Sequence, residues 1–199
     1  MSLKHSYALI APFYDAFLTA ATHGARGRSL AALAGQPPGE VLIAGIGTGL
    51  DIPHLPPQHR YVGIDLTRAM LAKAQRRIAG RHIRLVQGDV QRLPFPDTHF
   101  DAVVLHLILA VVPEPNACLA EAARVLKPGG HILVFDKFLK PGERALWKRA
   151  MNSLTRHVAT RLDVVFEDVL AAAPNLQRHH DEPALAGGWF RLIRLHKPE

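Results

Sequence analysis

The stretch Val41-Leu-Ile-Ala-Gly-Ile-Gly-Thr-Gly-Leu-Asp51 runs from an apolar tetrapeptide into three glycines at alternate positions. A short apolar run that breaks at glycine reads as a buried strand ending in a tight turn. Glycine lets the main chain take positive φ, and a ligand can approach it with no Cβ between. A strand, a glycine turn and a helix make a nucleotide-binding crevice, although an ordinary tight turn would read the same. The spacing is G-x-G-x-G at Gly45, Gly47 and Gly49, with Leu50 in the sixth position. A dinucleotide fingerprint wants Gly or Ala there, so that its helix packs close around a pyrophosphate. A nicotinamide-dependent oxidoreductase is disfavoured on that ground.

Outward from this turn, short apolar runs at 41–44, 61–64, 83–86, 102–105 and 131–135 alternate with helical patterns. The helical patterns cover 67–79 and 116–125, with a short stretch near Pro53. Such alternation predicts a parallel sheet covered by helices on both faces. Lys127-Pro-Gly-Gly130 reads as a helix stop and turn. The end of the chain differs: 189–195 looks like a strand, with 176–181 as its antiparallel neighbour. The first 35 residues look helical, with Ile10, Phe13, Tyr14, Phe17, Leu18 and Ala21 at helical spacing, and 35–39 breaks the pattern. One domain of 199 residues is expected, with a helical lid over 1–36, a core over 40–136 and an accessory part over 137–199.

Two strand ends carry acids. Tyr61-Val-Gly-Ile-Asp65 is an apolar strand closed by a carboxylate, suited to a pair of ribose hydroxyls, or equally to a helix N-cap. Gln87-Gly-Asp89-Val90 closes the next. Two carboxylates beside a glycine turn would repel a pyrophosphate and tolerate a cationic nucleoside.

With these elements in order (VLIAGIGTG, YVGID, VQGDVQRLPFPDTHFDAVV and EAARVLKPGGHILV), the chain resembles the class I S-adenosylmethionine-dependent methyltransferases. The resemblance implies a Rossmann-like, doubly wound α/β fold. Its sheet would be mostly parallel and seven-stranded, with a C-terminal antiparallel strand. It implies S-adenosylmethionine as methyl donor and S-adenosylhomocysteine as product. Gly45, Gly47 and Gly49, with Thr48, would line the donor's methionine and ribose. Asp65 would hold the ribose hydroxyls, beside Leu66 and Met70. Asp89 would accept from the adenine amino group, with Val90 on the ring. His106 follows the fourth strand, where family members face donor and acceptor. One position departs: Ile43 stands where the family usually has Asp or Glu, and Asp51 is the carboxylate that could stand in.

Methyl transfer from a sulfonium is an in-line displacement that needs alignment and exclusion of water more than an elaborate catalytic set. His106 is a candidate general base, since histidine titrates near neutral pH, or else a packing residue of the pocket wall. Tyr14 is the other candidate catalytic side chain. No D/N-P-P-Y/F motif, Pro-Cys nucleophile or catechol-type metal site is present, and Cys118 is the single cysteine. No metal is expected. His179-His180-Asp181 reads as a solvated strand or turn.

The ends point to the acceptor. Tyr7 to Asp15 with Arg26-Gly-Arg28, residues 105–115 and residues 187–194 resemble quinone-biosynthesis methyltransferases and, more closely, bacterial phosphatidylethanolamine N-methyltransferases. The chain carries a formal charge of +7, and residues 137–161 hold seven Lys or Arg against one acid. Trp147, Met151, Leu154 and Val158 fall on one helix face within that segment. Such a helix either packs on the sheet or touches an anionic membrane. Tyr7, Tyr14 and Trp147 could offer aromatic faces to a cation. The expected acceptor is therefore a small amphipathic molecule, a phospholipid amine before a quinone-like phenol. Nucleic acid is not the expected partner. A donor-binding regulator or RNA-binding protein without chemistry is the non-enzymatic alternative. With neither a signal peptide nor a membrane-length apolar run, the chain reads as cytoplasmic, at most peripheral at the inner membrane face.

Overall fold

A computed structural model describes residues 20–78, 80–139 and 163–199. Tyr7, Tyr14, Trp147, most of the first helical pattern and nearly all of the basic segment lie outside them. Seven strands form one sheet: β1 (Glu40–Ala44), β2 (Arg60–Asp65), β3 (Ile83–Gln87), β4 (Phe100–His106), β5 (Leu126–Lys137), β6 (Gln177–Leu185) and β7 (Phe190–His196). Their spatial order is β3-β2-β1-β4-β5-β7-β6. The first five run parallel, and β7 is antiparallel to both β5 and β6. The chain winds outward from β1 through β2 to β3, then crosses back to place β4 against β1. That reversal opens a crevice at the C-terminal ends of β1 and β4.

Alternation along the strands explains why both faces are covered. Leu42, Ala44, Val103, Leu105, Ile132 and Val134 belong to one core, with Leu119 and Ala122 of α3 (Pro115–Val125) and Phe166 and Val169 of α4 (Phe166–Ala171). Val41, Ile43, Ala102, Val104 and Leu133 belong to the opposite core. Leu30 and Leu33 of the first helical segment join that side, as does Ala74 of α2 (Arg68–Gln75). The segment over residues 20–31, here α1, is helical and buries Thr22, Ala25, Arg26, Ser29 and Leu30. These positions make a single stripe at helical spacing.

Two expectations change in detail. The helix expected over 67–79 closes at Gln75, where turns follow. Lys127–Gly130 is no free-standing turn, because α3 stops at Val125 and the chain passes straight into β5. Gly129 takes φ +76°. Its N–H donates to the Lys197 carbonyl (2.8 Å), and the Lys197 N–H donates to Gly130 (3.0 Å), so the ladder to β7 absorbs the glycines. His179, His180 and Asp181 are exposed on β6, where Asp181 pairs with Arg191.

The glycine turn is seated on β2. A Cβ added at Gly63 would run into the Ile46 side chain and come 3.0 Å from Leu85 Cδ2. Gly63→Ala is therefore expected to lower stability in urea unfolding by about 1–3 kcal/mol through overpacking. Gly24→Ala, on the exposed side of α1 with open space around it, should be neutral or stabilising by up to about 1 kcal/mol. Equal losses at the two sites would refute the seating of Ile46.

Candidate functional site

Four strand ends and one glycine turn converge on the crevice. After β1 the chain folds back at once: the N–H groups of Gly45 and Ile46 both donate to the Ile64 carbonyl of β2 at 2.9 Å. Gly45 has φ +75°, and a Cβ there would fall 2.6 Å from Ile108, so this glycine is a packing contact. Gly47 differs. It has φ +55°, and a Cβ there would meet nothing closer than 3.9 Å, so its backbone fronts open space. Its N–H donates to Asp65 Oδ2 at 2.9 Å, which joins the turn to the end of β2. The other oxygen of Asp65 accepts from the Thr67 N–H (2.9 Å) and hydroxyl (3.1 Å); Thr67 is itself the N-cap residue of α2, so Asp65 is not that cap. Thr48 is buried, and its carbonyl is held by Arg77.

Beside Asp65, Leu66 is 64% exposed and Met70 38%, large apolar side chains left at the rim of the crevice. Asp89, after β3, is partly buried and accepts from the Gln91 N–H at 2.9 Å and from its side-chain amide at 3.1 Å. Val90 points the other way, into the core with Leu93, so its side chain offers a ring little surface. An open backbone cradle at Gly47, two carboxylates on neighbouring strand ends and an apolar rim suit a nucleoside that carries positive charge.

His106, at the end of β4, is not open to a ligand. It is 4% exposed, and both ring nitrogens are engaged. Nδ1 lies 2.7 Å from Asp51 Oδ1, and Nε2 lies 2.9 Å from the Ser29 hydroxyl. With both ring nitrogens engaged, His106 hydrogen-bonds within the pocket wall, the alternative to a general-base role. Asp51, 2% exposed, also receives Arg26 at 2.7 Å on the same oxygen, and Arg26 reaches back to Thr22 at 3.1 Å. Burial pushes the Asp51 carboxyl up, but His106 and Arg26 outweigh it and hold that carboxyl well below the usual range. The carboxylate proposed to replace the missing acid at Ile43 is turned inward, to Arg26 and His106. Ile43 itself is a buried core residue between β2 and β4.

Ser29 escaped the sequence reading, and Arg26 was read only as part of a basic helix, because a serine or an arginine inside a helix carries no local signal of burial. Asp136, at the end of β5, was missed for the same reason. It is almost wholly buried, accepting from the N–H groups of Ala110 (3.1 Å) and Lys137 (2.8 Å). It thereby ties β5 to the loop that follows His106. Burial pushes its carboxyl up to about 6, and those N–H groups offset only part of the effect. Burial pushes the Cys118 thiol up to about 12, so it is no thiolate nucleophile. Tyr14 lies outside the described residues.

Comparison with known proteins shows the family. A methyltransferase domain family model matches residues 42–134. A phosphatidylethanolamine N-methyltransferase of Cereibacter sphaeroides is 32% identical over 164 residues, 80% of this chain and 80% of that protein. A ubiquinone/menaquinone biosynthesis C-methyltransferase of Desulfotalea psychrophila is 40% identical over 114 residues, 55% of this chain and 46% of the relative. The chain thus spans about half the length of that second protein. Among solved structures, the YcgJ protein of Bacillus subtilis shares the fold with a TM-score of 0.74 at 19% identity, over 89% of this chain and 99% of that one.

Asp136 gives the site a pH signature. A buried acid with a raised folded pKa contributes its full stability while both states are protonated, below the unfolded value of 3.8, and loses it as pH rises to about 6. Asp51 acts oppositely: its contribution is present above 3.8 and lost as pH falls below it. Between pH 4 and 6, urea-unfolding stability of the parent minus that of Asp136→Asn should therefore fall by about 2–3 kcal/mol. A flat difference over that window would show that Asp136 is not held protonated by burial.

Proposed function

The chain belongs to the class I S-adenosylmethionine-dependent methyltransferases, and we propose that its acceptor is the amine of a phosphatidylethanolamine-like phospholipid. S-adenosylmethionine is the methyl donor. We assign Gly45, Gly47, Thr48 and Gly49 to its methionine and ribose, Asp65 to the ribose hydroxyls, and Asp89 to the adenine amino group. Leu66 and Met70 supply an apolar surface at the rim. The bound donor brings an activated methyl group on a positively charged sulfur. The residues of this chain hold it, aim the acceptor and keep water out.

The observation that carries the lipid reading is how far the likeness to the Cereibacter protein extends. It covers 164 residues, well beyond the matched core at 42–134, and so takes in chain ends from which an acceptor site is built. Methylation of a quinone-like phenol is the second reading, favoured by the higher 40% identity to the Desulfotalea protein. That identity is confined to 114 residues, where donor binding alone would keep two sequences alike. A lipid acceptor agrees with the formal charge of +7, which favours an anionic surface. No helix among the described residues is long and apolar enough to cross a membrane.

Two measurements test this. In calorimetry, S-adenosylhomocysteine should bind and NADH should not. Asp65→Ala should weaken that binding by about 2–3 kcal/mol, as loss of charged hydrogen bonds does. Asp51→Ala should act on stability instead, because it strands Arg26 in a buried site at a cost of about 3–5 kcal/mol. For the acceptor, methyl-labelled donor is supplied with vesicles containing phosphatidylethanolamine and, in parallel, with a host quinone extract. Label in the lipid amine supports the proposal, and label only in the quinone fraction replaces it with the second reading.

A further inference from the structure

We propose that Ser29, His106 and Asp51 form a proton relay for methyl transfer, with the Ser29 hydroxyl as its acceptor-facing end. The proposal rests on the reading above in one respect: the acceptor must carry a proton that it loses when methylated.

Asp51 sits in the turn after β1, His106 ends β4 and Ser29 lies on α1, yet they make one hydrogen-bonded line. Ser29 Oγ is 2.9 Å from His106 Nε2, and His106 Nδ1 is 2.7 Å from Asp51 Oδ1. Asp51 is ionised and can only accept, so Nδ1 carries a hydrogen. Arg26 already balances the Asp51 charge at 2.7 Å. With the hydrogen on Nδ1, the Nε2 lone pair is left to the serine hydroxyl. The other groups facing the ring are His54 and Phe135. Burial and the neighbouring His23 hold His54 below its usual range, against a smaller opposing pull from Asp51. Phe135 packs edge-on against His106 at 5.7 Å.

Of the three members, Ser29 borders open space: a groove of about 470 Å³ that it lines with Arg28, Leu133, Leu192, Ile193 and Arg194. Glu182 also lines the groove and pairs with Arg28 at 3.5 Å, so Arg194 is the lining arginine turned to a phosphate, and Leu133 and Leu192 suit the chain of an amphiphile. The order hydroxyl, imidazole, carboxylate is that of serine hydrolases, but Ser29 lies within a helix. The surrounding main-chain N–H groups are committed to helix bonds, which leaves no oxyanion hole. The line is therefore suited to moving a proton and not to acyl transfer.

The step balances as follows. The acceptor's N–H proton passes to Ser29 Oγ as the serine's own proton passes to His106 Nε2, while Nδ1–H remains on Asp51. The amine enters the step neutral, its ammonium proton already left in water; its electron pair forms the new N–C bond, and the S–C bond breaks with its pair left on sulfur. The positive charge lost from sulfur reappears on the imidazolium, beside Asp51, and that proton leaves to water once the groove empties.

The test uses full-length protein with S-adenosylhomocysteine, ¹⁵N-labelled at histidine, with His106 assigned by comparison with His106→Gln. At neutral pH the His106 ring should be neutral and protonated at Nδ1. Ser29→Ala should shift Nε2 and keep that tautomer, and Asp51→Asn should redistribute the proton. A ring protonated at Nε2, or at both nitrogens, would overturn the relay. Should Asp51→Asn not fold, Ser29→Ala carries the comparison. With phosphatidylethanolamine vesicles, Ser29→Ala should lower kcat about 10²-fold, with KM and S-adenosylhomocysteine affinity unchanged. An unchanged kcat in a parent that methylates the lipid also overturns it. A parent that leaves this lipid unmethylated sinks the acceptor assignment, and the ring signature then decides the relay alone.

Discussion

Asp51 Oδ1 is the atom on which the site's organisation depends. One carboxylate oxygen, nearly dry, takes Arg26 from α1 and His106 from β4 while its own residue closes the glycine turn. Three elements distant in sequence are thereby fixed to one point. Removing Arg26 would leave the Asp51 carboxylate without its cation in a low-dielectric site, where an unpaired charge costs far more than it would at the surface. This gives the glycine turn a rigid base. Gly49 packs against Ile52 and Ala74, Gly45 against Ile108, and only Gly47 is left facing open space. The charged base and the packed glycines together account for a cradle one residue wide.

The sheet follows from a simpler constraint. Strands covered by helices on both faces must be apolar on both faces, so β1, β2 and β4 read as unbroken apolar runs. That is why the fold was legible. The runs at 41–44, 61–64, 83–86 and 102–105 sit within β1 to β4, and the carboxylate of Asp65 closes β2. The antiparallel pairing of the last two strands was legible too, from 176–181 and 189–195, although β6 runs on to Leu185. Boundaries were less so. Lys127-Pro-Gly-Gly130 carries strong turn chemistry, yet the ladder to β7 takes it up because Gly129 and Gly130 find partners at Lys197.

The buried polar cluster was illegible for a physical reason. Arg26, Asp51 and His106 are separated by 25 and 55 residues, and each alone has a bland explanation. Arginine on a helix reads as solvated, aspartate after a glycine turn as a ligand group, and histidine after a strand as a base. Their burial is set by tertiary packing, and only the packed chain reveals that they compensate one another. Asp136 is the same kind of case: an acid at a strand end looks exposed until the loop carrying Ala110 folds over it.

Charge is distributed so that a cationic donor and a basic chain are compatible. The formal charge of +7 would oppose binding of a sulfonium if it were uniform. The crevice is instead lined by Asp65 and Asp89, while Arg26 is neutralised internally by Asp51. No arginine of the buried cluster competes for Asp65 or Asp89 among the described residues. Arg28 and Arg194 lie elsewhere, along the groove that Ser29 borders, where Glu182 pairs with Arg28. The line from Ser29 to Asp51 ties that groove to the base of the glycine turn, so charges of both signs are balanced within the fold.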